Sequence, residues 1–251
     1  MRPYILAENN WYNLKDSKPD LAILPWGATE AHNYHLPYST DNIEAEEIVY
    51  RSAEIAFNRG AKLIVLPTIP FGVNTGQTDI LLNINLNPST QLSILKDVIQ
   101  VLDRQGIQRF LIFNSHGGND FKPLLRELGL QFPQMFLSVA DFYKVLNKRD
   151  YFDIDGDHAD EMETSLMLYL KPDLVLDKKF WGKGKEKKIN LKYFDENWVW
   201  TERKWSKVTS DTGIGNPEFA TREKGEKYFL DLTEKVGDMF YELCKTGMGY
   251  F

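Results

Sequence analysis

Short apolar runs alternate with amphipathic stretches along the first 170 residues, and that alternation limits the possible folds more than any other feature of the chain. Leu21–Pro25 (LAILP), Lys62–Pro67 (KLIVLP), Arg109–Asn114 (RFLIFN) and Gln134–Ala140 (QMFLSVA) read as buried strands. Ile80–Asn87, with alternating residues, reads as a further strand. Between them lie helical periods. From Asp41, the residues Ala45, Ile48, Val49, Ser52, Ile55 and Ala56 form a mostly apolar stripe, with Thr40 or Asp41 placed to cap its start and Asn58-Arg59-Gly60 to end it. Ser89–Gln105 carries Leu92, Leu95, Ile99 and Leu102 on one face, and a third helix runs through Leu124, Leu125 and Leu128. Asp160–Leu170 and Thr221–Leu243 read as two more. Strand and helix in alternation imply βαβ units and a mainly parallel sheet covered on both faces. With 251 residues, one α/β domain is the expected organisation.

One stretch breaks the pattern. Residues 177–210 begin basic (Lys178, Lys179, Lys183, Lys185, Lys187, Lys188) and turn aromatic (Tyr193, Phe194, Trp198, Trp200, Trp205), without a clear period. They read as an irregular insertion or hairpin. Its tryptophans could wall a pocket, pack the hairpin, or cover a contact with another subunit.

Bulk properties exclude several classes. A net charge of −6 argues against a nucleic-acid partner, which needs a basic face to neutralise phosphates. A single cysteine, Cys244, makes no internal disulfide and no CxxC metal site. No apolar stretch approaches the roughly 20 residues that span a bilayer. The start, MRPYILAENN, lacks the apolar core of a secretory signal, so a cytoplasmic location is the default expectation.

The chemistry gathers around the four histidines, His32, His35, His116 and His158. Each sits in a polar segment beside carboxylates or glycines, and none falls in an apolar run where core packing would account for it. Ligands of a parallel sheet bind beyond the carboxyl ends of its strands, and two of these segments follow the runs at 21–25 and 109–114. Glu30-Ala-His32 can turn both side chains to one centre, and Asp41 at a helix start can meet them there. Imidazole with carboxylate suits zinc, manganese or ferrous iron. His116-Gly117-Gly118 offers a ligand beside backbone that can approach a substrate closely. His158 with Glu163 forms the third group, and His35 is a further candidate for substrate contact. Taken singly, Asp41 could be a helix cap, His116-Gly-Gly a plain turn, and Glu163 a solvated helix residue. Their coincidence at one sheet edge favours a site.

The motifs resemble the creatininase family. LPWGATEAHNYHLPYSTD is similar to the family's Pro-x-Gly-Ser/Thr-Thr-Glu-x-His-Gly-x-His-Leu-Pro with an Asp soon after. Asn114-Ser115-His116-Gly117-Gly118-Asn119 looks like its Asn-Gly-His-Gly-Gly-Asn. His158-Ala159 with Glu163-Thr164-Ser165, then Pro172-Asp173-Leu174-Val175, matches two further motifs, and Gly215-Asn216-Pro217 with Ala220-Thr221 and Lys224-Gly225 a last one. The resemblance implies a three-layer α/β/α sandwich and two divalent ions (zinc, manganese or iron) bridged by an aspartate. Glu30, Asp41 and His116 would hold one ion; His32, Asp41 and Glu163 would hold the other; His158 would assist proton transfer. It also implies a homo-oligomer, often a hexamer. Gly118 stands where creatininases carry a glutamate that serves the metal site, which argues against creatinine as substrate. Asn33 and Ser115 each replace a usual glycine.

The expected reaction is hydrolysis of a C–N bond in a small amide, cyclic amide or formamide by activated water. Glu163, or Asp157, Asp160 or Glu161 behind it, would take the water's proton, and His158 would protonate the leaving nitrogen. Lactams, the formamide of a pyrimidine intermediate and short peptides are the competing substrates. The rivals from other classes are a non-catalytic metal- or ligand-binding protein and a phosphate-binding loop at 115–119, where Glu30 and Asp41 would repel the anion.

Overall fold

Four apolar runs pair in parallel, in the order β2–β1–β3–β4, with β1 at Leu21–Trp26, β2 at Leu63–Val65, β3 at Arg109–Asn114 and β4 at Phe136–Asp141. The computed structural model describes residues 1–196 and 198–247. Ala22 faces Phe110 and Trp26 faces Asn114 across β1 and β3, while Leu21 faces Leu63 across β1 and β2. Both central strands are apolar on both faces, as two-sided burial demands.

Strand side chains alternate, and the two sets enter separate cores. Leu21, Ile23, Leu63, Val65, Leu111 and Phe113 meet α1 (Thr40–Asn58), α4 (Glu161–Leu170) and α5 (Arg222–Lys245). Ala22, Leu24, Trp26, Phe110 and Ile112 meet α2 (Pro88–Arg104) and α3 (Phe121–Gln131). The result is the expected three-layer α/β/α sandwich.

Three local expectations are corrected. Ile80–Asn87 is not a strand: it touches other segments only by single bridges, Ile84 to Thr29 and Asn85 to Gly72, and its polar side chains reach loop backbone instead. Neither Thr40 nor Asp41 caps α1. The Thr40 hydroxyl donates to the Pro37 carbonyl at 2.8 Å, and Asp41 is spent on histidines. Asp160, weighed as a base, caps α4 instead, its Oδ1 accepting from the Met162 and Glu163 amides at 2.9 and 3.1 Å.

Among its described residues the irregular stretch carries a 3-10 turn, Lys178–Phe180, and two one-turn helices, Lys192–Asp195 and Trp205–Val208. Asn33 hooks it down. Its φ of 52° lies in the left-handed region, which asparagine tolerates, and its amide exchanges hydrogen bonds with the backbone of Gly182. The asparagine thus keeps the backbone shape a glycine would give and adds a clasp. Among the described residues no helix is long and apolar enough to cross a membrane.

Candidate metal centre

The carboxyl ends of β1 and β3 and the amino ends of α1 and α4 meet at one place. The loop after β1 brings Glu30 and His32, the first turn of α1 brings Asp41, the loop after β3 brings His116, and the first turn of α4 brings Glu163. All five are buried. The Ser115 hydroxyl donates to the Asp41 carbonyl at 2.7 Å, tying the end of β3 to the start of α1. Gly27 lets that helix approach, since a Cβ there would stand 2.3 Å from the Asn42 side-chain oxygen.

Three overlapping groups of ligand-type atoms result: Glu30, Asp41 and His116; His32, Asp41 and Glu163; and Glu30, His32 and His158. Asp41 belongs to the first two. Its Oδ1 lies 3.0 Å from His32 Nε2, and its Oδ2 lies 3.1 Å from His116 Nδ1. Glu30 Oε1 lies 2.8 Å from the same His116 nitrogen. His158 stands at the edge, with Nδ1 3.8 Å from Glu30 Oε1 and its ring centroid 4.1 Å from that of His32.

Backbone carbonyls fix which nitrogen of each ring faces inward. His32 Nδ1 donates to the Glu30 carbonyl at 3.0 Å, His116 Nε2 to the Val73 carbonyl at 3.0 Å, and His158 Nε2 to the Ala31 carbonyl at 2.9 Å. A carbonyl only accepts, so each outer nitrogen carries the proton, and each neutral ring turns a lone pair to the centre. Glu30 Oε1 and Asp41 Oδ2 are buried without a hydrogen-bond donor. Three lone pairs therefore converge on one point, and only a cation, either a proton on His116 or a metal ion, can hold them together.

Without metal, protons do this. Burial opposes the charged form of His32 and His116, but Asp41 lifts His32 to about 10, and Glu30 with Asp41 lifts His116 well above the usual range. Burial likewise opposes charge on Glu30 and Asp41, yet His116 and His158 lower Glu30, and His32 and His116 lower Asp41. Burial pushes Glu163 up to about 8. It lowers His158, with the His32 charge adding to the effect. Glu44, one turn beyond Asp41, is driven well up by burial and by the charges of Glu163 and Asp41.

The centre opens into a cavity of about 750 Å³. Gly117 and Gly118 line it. Gly118 admits no side chain, because a Cβ would lie 2.4 Å from the Val73 carbonyl oxygen and 2.5 Å from His116 Nε2. Asp157 also lines the cavity and pairs with Arg203 at 2.6 Å. Trp200 and Trp205 wall it, whereas Trp198 packs on Tyr193 outside. Glu161 is committed elsewhere, accepting from the Asp153 and Ile154 amides and pairing with Lys224. His35 is not brought to the cavity: it donates or accepts at Thr164 Oγ1, 2.9 Å away, and stacks on Trp181, while burial depresses its pKa to about 4. It supports α4 from behind.

Sequence reading missed Gln77, Tyr143, Lys148 and Arg203, all of which line the cavity. The one available signal was the density of amide side chains in 74–87, which overlaps Ile80–Asn87, the segment read as a strand.

A family model for creatininase, described as creatinine amidohydrolase, matches residues 7–240. The chain belongs to the creatininase family. A creatinine amidohydrolase of Pseudomonas putida is 32% identical over 174 residues, 61% of this chain and 65% of that protein, so the alignment spans a little under two thirds of this curated relative. A crystal structure from Bacteroides fragilis, described only provisionally as a creatinine amidohydrolase, is 38% identical over 98% of this chain and 99% of its own, with a TM-score of 0.93. Creatininase structures at 21% identity cover 98% of this chain and all of theirs and share its fold: a mutant complexed with creatine has a TM-score of 0.81, and a Zn–Zn form 0.78.

Proposed function

We propose that this creatininase-family protein is a hydrolase that cleaves a C–N bond of a small amide, cyclic amide or formamide at a centre of two divalent ions. One observation carries the reading. Glu30 Oε1, Asp41 Oδ2 and His116 Nδ1 turn lone pairs to a single buried point, with the Nε2 proton of His116 committed to Val73. Glu30, Asp41 and His116 would hold one ion, and His32, Asp41 and Glu163 the other, with Asp41 shared. The zinc-loaded relative of the same fold makes zinc a natural occupant, and manganese and iron suit the same nitrogen and oxygen donors. Bound there, the ions would polarise the scissile carbonyl and lower the pKa of the attacking water.

The residues move the protons. Glu163, at the amino end of α4, would receive the proton that the water gives up as it attacks the carbonyl carbon. His158 is neutral, with Nδ1 free of a protein donor and facing Glu30, so it can take that proton and hand it to the nitrogen as the C–N bond breaks. Asp157, held by Arg203, and the backbone of Gly117 and Gly118 face the space a substrate would fill. Because Gly118 leaves no room for a glutamate, substrates other than creatinine are favoured. A homo-oligomer is part of the same reading.

Metal analysis of the purified protein beside Asp41→Ala tests it. About two ions per chain in the wild type, lost together in the variant, are expected, since Asp41 belongs to both groups. Hydrolysis of a panel of lactams and formamides should disappear with them. Two tightly held ions with no turnover on any amide would favour a metal-binding protein on this fold.

A further inference from the structure

The two oxygens of Glu30 have different surroundings. Oε1 faces His116 and His158 and has no hydrogen-bond donor. Oε2 accepts from the side-chain amide of Gln77, which is itself almost fully buried. A carboxylate only accepts, so the amide must present its NH₂ to Glu30 and its oxygen away. That oxygen accepts from Asn83 Nδ2, and Asn83 Oδ1 in turn accepts from the Ala31 amide at 2.8 Å. The chain of bonds closes on itself, leaving from Glu30 and returning to its neighbour Ala31.

The segment carrying Gln77 is fixed from the far side. Gln77 ends a single turn, Thr75–Gln77, with its amide on the Asn74 carbonyl at 3.0 Å. The Thr75 hydroxyl donates to Glu202, and the Ser206 hydroxyl to Asp79. Gly76 lets the irregular segment lie directly on this turn, since a Cβ there would stand 2.1 Å from the Arg203 carbonyl oxygen.

Resting on the metal-centre reading above, we infer that Gln77, braced by Asn83, is a positioning residue that holds Glu30 Oε2 and thereby aims Oε1 at the ion shared with Asp41 and His116. Such partners of a ligand set its orientation, and their loss commonly costs 10- to 100-fold in metal affinity. Glu30 groups with Asp41 and His116 and is absent from the group of His32, Asp41 and Glu163, so the effect of Gln77 falls on one of the two proposed ions.

The test is a chelator-competition titration with Mn²⁺ and with Zn²⁺ on the full chain, comparing wild type, Gln77→Leu and Asn83→Ala, with circular dichroism to verify folding. Gln77→Leu keeps the size of the side chain and removes the donor. It should weaken one ion by roughly 10- to 100-fold and leave the other near its wild-type affinity. Asn83→Ala should shift the same ion in the same direction by less, and it decides the matter if Gln77→Leu does not fold. Two ions bound with wild-type affinity in the folded variants, or both weakened equally, would overturn the inference while the metal centre stands. A wild type that binds no divalent ion would overturn both.

Discussion

His32 and His116 each commit one ring nitrogen to a backbone carbonyl, so the inner nitrogen of each can take a proton or a metal ion but not both. The pH dependence follows from signs alone. In the metal-free protein His32 is raised to about 10, so its stabilisation is complete below its ordinary value near 6.5 and is lost as pH rises through 10. His116 acts in the same direction. Glu163, raised to about 8, favours the fold fully below its ordinary value and loses that contribution as pH rises through 8. Glu30 and Asp41, both lowered, contribute above the ordinary carboxylate range and lose it only in acid. From about pH 6 to about pH 9 the metal-free centre therefore becomes less favourable. Metal binding at the proposed ligands would expel the protons of His32, His116 and Glu163, so it would tighten over the same interval. The rise in melting temperature produced by saturating Mn²⁺ should grow steadily from about pH 6 to about pH 9 in scanning calorimetry. A rise that stays constant would mean that metal and protons do not compete at these residues.

Helix α4 owes its place to α5, and one residue decides how near the two come. Gly225 lies against the α4 backbone: a Cβ there would stand 1.9 Å from the Ser165 carbonyl oxygen. Lys224 beside it pairs with the buried Glu161. Gly225→Ala should cost about 1–3 kcal/mol or more in urea unfolding, because backbone rather than a flexible side chain must give way; a variant as stable as wild type would show that the helices can part freely. The Lys-Gly pair was legible in the sequence as a motif, though its purpose was not. The strands at 21–25 and 109–114 were legible because each is buried on both faces and so reads as an unbroken apolar run. Ile80–Asn87 was misread because its alternation serves another end: Asn83 and Asn85 turn to the Ala31 and Asn74 amides, and side chains rather than a ladder hold the segment. The carboxylates and histidines of the centre stood out because they lie in polar surroundings just after strand ends (Glu30, His32, His116) or at helix starts (Asp41, Glu163). Gln77 did not, since its partner Glu30 lies 47 residues away and a single amide carries no pattern. His35 looked like its neighbours in sequence yet faces Thr164, because the loop after His32 turns it behind α4.

At the scale of the whole molecule, residues 177–210 convert an open sheet edge into a walled cavity. The stretch has too few periodic apolar residues to fold on its own, and it is held by clasps at several points. Asn33 takes the Gly182 backbone, the buried Asp211 takes the Gly184 amide at 3.0 Å, and Glu202 and Ser206 take the 75–79 turn. Between the clasps Trp205 sits with Ile80, Val208 and Ile214, its ring edge-on to His158 at 4.8 Å and beneath the Arg203 guanidinium at 5.1 Å. Its ring thus packs against His158, the histidine proposed to carry a proton. Trp205→Leu keeps an apolar group in the cluster but removes the plane against His158. Since Trp205 is not among the candidate ligands, the metal content should stay at the wild-type level. Turnover of any accepted amide should fall by roughly 10- to 100-fold, the usual consequence of a catalytic group held about 1 Å out of place. The loss should appear in kcat more than in KM if the tryptophan acts through His158, and in KM more than in kcat if it binds substrate directly. Unchanged turnover with only a lower melting temperature would reduce Trp205 to a packing residue and leave the proton path to Glu163 and His158 alone.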